Sequence, residues 1–209
     1  MFSNLLEFKW YTVAVLVCLI VLAVALIIAG KQKRNWTSRR LAYGSMCITI
    51  AFILSCIALF KMPQGGTVTP GAMLPLILFA LAFGPMPGVV VGCAFGLLQL
   101  LQNPYVIHPI QMLLDYPLAY AALALGGLMK FAPVPKWSKL MLAILIGTIG
   151  QTAMSVLSGV VFFSEYATGP SVLLYSISYN LSCIGTSGLI ACLFALIPAI
   201  QKLPEMMRD

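Results

Sequence analysis

In a chain of 209 residues, 61% are hydrophobic and only 8% charged, a balance that excludes a soluble globular domain and marks an integral membrane protein. The net charge of +7 does not point to nucleic acid, because the basic residues lie in short segments between apolar runs and no basic groove interleaved with aromatics is present. Phosphate-binding loops, paired histidines and nucleophile–base patterns are missing from the sequence, which excludes Walker-type ATP hydrolysis and a paired-histidine metal site and argues against an enzyme.

Proline, glycine and charge divide the sequence into seven predicted helices, at about 10–30, 38–60, 70–84, 87–102, 109–130, 137–163 and 171–199. Apolar runs of this kind suit a hydrocarbon core roughly 30 Å thick. In the first run, Trp10 to Gly30, the positive cluster Lys31 to Arg34 follows the apolar stretch instead of preceding it. That polarity is the reverse of a secretory signal, so the run reads as a retained span. The segment Lys31 to Arg40 is the densest in positive charge and is placed in the cytoplasm. Alternating sides from there leaves only Lys9 and Lys61 of the 12 lysines and arginines outside, an N-out, C-in topology.

The second helix carries Ser45 and Thr49 at four-residue spacing. The third and fourth are separated by "GPMPG", Gly84 to Gly88, which reads as a tight turn between antiparallel helices. On the fourth, Gly88, Gly92 and Gly96 recur every four residues, a pattern that lets helix backbones approach closely and here favours internal packing. The six cysteines fall in apolar spans without metal-ligand pairing and read as small core residues.

Pro109 suits the first turn of the fifth helix, which puts Asp115 about 9 Å further along it. A carboxylate near a bilayer centre costs roughly 2.5–3.5 kcal/mol, so its retention asks for a function or for a neutralising neighbour. His108, Gln111 and Asp115 are spaced i, i+3, i+7 and share one helix face. At the same level the sixth helix ends with Ser155, Ser158, Phe162 and Phe163, followed by Glu165 and Tyr166, while the seventh carries Tyr175, Tyr179 and Asn180. Single aromatics at this depth also fit an interfacial belt. Together with a buried acid and no basic residue at its depth, they fit a site for a cationic, aromatic ligand. A proton-coupled secondary transporter working alone through Asp115 and His108 is a second reading of the same residues.

Four stretches, "MPQGGTVTPGAMLP" (Met62 to Pro75), "GLLQLLQNPYVIHPIQMLLDYPLAYAALALGG" (Gly96 to Gly127), "SGVVFFSEYA" (Ser158 to Ala167) and "YSISYN" (Tyr175 to Asn180), resemble the thiamine-specific substrate-binding S component of energy-coupling factor transporters. The resemblance spans roughly residues 38–200. It implies an all-α integral membrane protein with a six-helix S-component core at 38–200, an extra N-terminal transmembrane helix and basic loop at 1–37, and a cytoplasmic tail at 201–209. The implied ligand is thiamine, with no cofactor, and the implied partners are a transmembrane coupling subunit and two cytoplasmic ATPases in a bacterial plasma membrane. Carried over by motif, Asp115 and Tyr116 are the family's acidic-then-tyrosine pair, Tyr105 is another pocket tyrosine, and Tyr175 and Asn180 complete the pattern. Ser155 stands where the family commonly has histidine, Phe163 where a tryptophan can occur, and Asp115 where glutamate is frequent, so a related pyrimidine or thiazole precursor is an alternative ligand. Ala42, Ser45 and Thr49 occupy the stretch that the family uses to contact its coupling subunit.

Overall fold

The computed structural model describes residues 36–167 and 171–208. The predicted first helix, at 10–30, lies outside the described residues. Helix α1 (Ser38–Cys56) begins at Thr37, whose Oγ1 accepts a hydrogen bond from the Arg40 N–H at 3.3 Å and so satisfies one of the unpaired amides of the first turn. It stops at Cys56, short of the predicted Phe60, because the chain turns into a small antiparallel hairpin. Phe60–Lys61 (β1) pairs with Thr67–Val68 (β2), and flanking bonds run from Leu59 N–H to Val68 O (2.9 Å) and from Met62 N–H to Gly66 O (2.7 Å). Positive φ at Gln64 and Gly65 closes the turn. This hairpin is the one departure from an all-α fold among the described residues.

All ten residues of α2 (Leu74–Phe83) are buried. A helix apolar on every side fits only the middle of a bundle, and α2 is enclosed by α1, α3 (Pro85–Gln102), α4 (Pro109–Phe131) and α5 (Lys136–Phe162). Gly84 alone, at φ 101°, separates α2 from α3, so the expected five-residue turn contracts to one residue and Pro85 opens the next helix. Helices α3, α4, α5 and α6 (Val172–Ala195) are each long and apolar enough to cross a membrane. The buried centre includes Ile77, Phe79, Phe95, Leu123 and Ile144, with the Phe79 and Phe83 rings 4.9 Å apart. Where lipid replaces water, close packing and not exclusion from water holds such a centre together.

The glycine series on α3 packs inward, as expected. Cβ atoms at Gly92 and Gly96 would collide with the backbone of Tyr120 and Tyr116 on α4, so only glycine permits this approach. Two of the long helices change winding along their length. A π-helical turn occupies Leu114–Leu118 in α4 and another Leu181–Gly185 in α6, and α4 finishes in tighter 3₁₀ winding over Leu123–Phe131.

The predicted helix at 171–199 ends at Ala195. Ile197 takes an extended conformation, as a residue before proline prefers, and Pro198 starts a separate helix α7 (Pro198–Met206). Residues expected to form a tail from 201 onward are therefore largely helical. Helix α7 lies at the end opposite the hairpin, tied to α5 by the Lys136–Glu205 ion pair at 2.9 Å.

Candidate functional site

Beside the hairpin, a cavity of about 200 Å³ opens between the helices. Its first wall is the start of α4. Here the predicted face of His108, Gln111 and Asp115 divides. His108 is the N-cap residue, in extended conformation, and its Nδ1 accepts the Ile110 N–H at 3.1 Å. Its ring stacks on Phe162 with centroids 5.0 Å apart, and it does not line the cavity. The face expected for His108, Gln111 and Asp115 is thus not shared by His108, because helical spacing does not hold at a residue whose backbone is outside the helix.

Gln111, fully buried, does join Asp115. Its Nε2 donates to Asp115 Oδ2 at 2.6 Å and to the Tyr105 carbonyl at 3.1 Å, while its Oε1 accepts the Ile107 N–H at 3.1 Å. Tyr116 anchors the same segment. Its hydroxyl donates to the Asn103 carbonyl (2.9 Å) and accepts the Tyr105 N–H (2.8 Å). Both side chains therefore pin residues 103–107 over α4, and this presents the Tyr105 ring to Phe163, stacked at 5.9 Å and 22°. Tyr166 continues the aromatic wall, 6.1 Å from Phe163. Asp115 is the one charged side chain among the described residues that line the cavity. Ser158, on the adjacent helix and fully buried, faces that carboxylate without a hydrogen-bond partner of ordinary length.

The opposite wall is α6. Tyr175 and Tyr179 stack at 6.3 Å and 24°. The Tyr179 hydroxyl donates to the Pro63 carbonyl and accepts the Gly66 N–H at 3.0 Å, which fastens the hairpin turn to α6. Asn180 Nδ2 donates to the Ser176 carbonyl at 2.9 Å, and Ser176 Oγ in turn donates to the Val156 carbonyl at 3.0 Å, joining α6 to α5. Ser155 lines the cavity from α5.

The structure thus brings Asp115, Tyr116, Tyr105, Tyr175, Asn180, Ser155, Phe163, Tyr179 and Gln111 to one cavity. Sequence reasoning missed Gln64 to Gly66 of the hairpin, Tyr120, Gln99 and Gln151, which line it as well. The two glutamines carry the signal that could have found them, since long polar side chains inside apolar spans need a partner. Gln99 has one, donating from Nε2 to Ser55 Oγ at 2.7 Å. On α1, Ala42, Ser45 and Thr49 are exposed, and the two hydroxyls donate back to the carbonyls of Leu41 and Ser45, leaving a smooth stripe of small residues.

One carboxylate, stacked rings and amide groups suit a flat, positively charged heteroaromatic molecule: the acid balances charge in a poorly solvated space and the rings supply stacking and cation–π contact. No group of three or more His, Cys, Asp or Glu side chains that could hold a metal occurs among the described residues.

Residues 41–207 match the model of the thiamine transporter protein family (Thia_YuaJ). A thiamine transporter, ThiT, of Bacillus subtilis is 32% identical over 183 residues, covering 81% of this chain and 94% of that protein. Its namesake in Lacticaseibacillus paracasei is 30% identical over 122 residues, 52% of this chain and 61% of that protein. The solved structure of ThiT from Listeria monocytogenes superposes with a TM-score of 0.62, at 23% identity over 78% of this chain and 96% of that one, and shares the fold. This chain, a multi-pass bacterial membrane protein, belongs to the thiamine transporter protein family.

Proposed function

We propose that the chain is the high-affinity thiamine-binding subunit of an uptake transporter of the energy-coupling factor type, capturing thiamine outside the cell and passing it inward. The observation that carries this reading is the cavity itself, in which Asp115 is the one charged side chain among the described lining residues and Tyr105, Phe163, Tyr166 and Tyr175 form the walls. Thiamine matches that arrangement, being a permanently cationic thiazolium joined to an aminopyrimidine ring. In this reading the hairpin end faces outward, the N-terminus is outside and the C-terminus inside. Energy comes from a transmembrane coupling subunit and two cytoplasmic ATPases, with the stripe Ala42, Ser45 and Thr49 meeting the coupling subunit. Seven spanning helices, including the run at 10–30, complete this topology.

Calorimetric titration of the purified chain with thiamine tests the reading. The two tryptophans among the described residues give a poor quenching signal for it, because Trp36, just before α1, and Trp137, at the start of α5, do not line the cavity. Tight one-to-one binding is expected, and Asp115→Asn weakens it roughly 10- to 100-fold, as loss of a charge-assisted contact worth about 1.5–3 kcal/mol implies. Absence of thiamine binding in the folded wild-type chain would overturn the proposal.

A further inference from the structure

Gln151 lies on α5 one turn deeper in the bundle than Ser155, and it lines the cavity. The residue is only 7% exposed, and its Oε1 is enclosed without any hydrogen-bond partner. Thr152 and Ser158 on the same helix also hold an unpaired buried hydroxyl, but of these three described residues only Gln151 lines the cavity, and other polar groups near it are paired. Thr148, one turn further along, donates to Met73 Sδ at 3.4 Å, and Ser187 across the cavity accepts the Thr69 N–H at 3.2 Å while donating to the Cys183 carbonyl. A buried amide with an unmade hydrogen bond destabilises the empty protein, and methionine would fill the same volume without that penalty. Such a residue is explained when something absent from the empty protein completes its bonding.

We propose that Gln151 is a specificity-determining ligand contact at the deep end of the cavity, its amide taking a hydrogen bond from a polar group at the far end of the bound molecule. This rests on the thiamine reading above. Seven residues of helix separate Gln151 from Ser158, the residue that faces Asp115, a rise of about 10 Å. An elongated molecule held near Asp115 by its charge therefore reaches Gln151 with its other end. In thiamine the polar groups that can do this are the exocyclic amine of the pyrimidine and the terminal hydroxyl.

The test compares wild type with Gln151→Met, using thiamine and two single-group analogues: one with hydrogen in place of the exocyclic amine, one with hydrogen in place of the hydroxyl. Gln151→Met is expected to bind thiamine at least tenfold more weakly. It is also expected to melt, without ligand, at or above the wild-type temperature, since it removes an unsatisfied buried group. One analogue should lose at least tenfold against wild type but less than twofold against Gln151→Met, which identifies the group that meets the amide. Unchanged thiamine affinity in a folded Gln151→Met protein overturns the inference. So does a variant in which both analogues lose as much as they do in wild type, or one whose empty form melts lower, as a purely structural glutamine would. In each of these cases wild-type thiamine binding persists, so the functional reading survives; if wild type binds no thiamine, both fall together.

Discussion

The Tyr116 hydroxyl is fully engaged by the backbone, donating to Asn103 and accepting from Tyr105, so this residue acts on the site through the segment it holds. Tyr116→Phe leaves the Tyr105 amide and the Asn103 carbonyl to water, at a cost of about 1 kcal/mol at a half-buried position. Thiamine affinity is expected to fall about fivefold, mainly through faster dissociation, because the stacked pair Tyr105–Phe163 loses its fixed partner. Stopped-flow competition measures this, and a dissociation rate equal to that of wild type would show that Gln111 alone suffices to hold residues 103–107. Asp115 was legible in the sequence because an acid inside an apolar span has no bland reading that costs nothing. His108 departs from the expected shared face because the i, i+3, i+7 rule presumes helical backbone, whereas its φ of −151° and ψ of 143° turn the ring onto Phe162. Gln151 shows only the weaker signal of a long polar side chain in an apolar span, and nothing in the sequence separates an unpaired amide from one that is bonded to a neighbour.

Both long helices that frame the site widen by a π turn at its level, Leu114–Leu118 carrying Asp115 and Tyr116, and Leu181–Gly185 directly following Asn180. Pro117 lies inside the first, where its missing N–H and its ring favour a departure from regular α winding. Gly96 presses against this turn. A Cβ there would stand 2.5 Å from the Tyr116 carbonyl oxygen and 2.8 Å from Pro117 Cα, both backbone atoms that cannot rotate away. Gly96→Ala is therefore expected to destabilise by about 1–3 kcal/mol, as overpacking does, and to weaken thiamine binding as well, because the displaced turn holds Asp115. Gly185→Ala is the control: its Cβ meets only the Leu181 side chain, at 2.9 Å, which can change rotamer. Thermal melting with and without thiamine separates the two, and equal behaviour would mean that the turn is free to yield. Spans of this length were legible from hydropathy and punctuation. The hairpin was not, since strands of two residues leave no period to read, and of the two π turns only the first is marked, by Pro117.

Across the whole molecule, the charges of the described residues are distributed unevenly. Arg39, Arg40, Lys130, Lys136 and Lys139 belong to the ends of α1, α4 and α5 that lie away from the cavity, Lys202 and Arg208 to α7 and the turn after it, while Lys61 sits on the hairpin beside the cavity. Helix α7 closes the basic end. Gln201 Nε2 donates to the Ala195 carbonyl at 2.9 Å, satisfying an end of α6, and Lys136 holds the Glu205 carboxylate below its usual range. That exposed pair contributes little to stability, so α7 is seated chiefly by Leu203, Pro204 and Met207. Because moving basic loops across the bilayer is resisted, this end is expected inside and the cavity outward, as the proposed capture of an external vitamin requires. In a cysteine-free background, Lys61→Cys is expected to react with a membrane-impermeant maleimide on intact cells, and Lys202→Cys only after permeabilisation. The opposite pattern would set the cavity toward the cytoplasm, where its ligand would have to arrive from within, and uptake by this route would then be untenable.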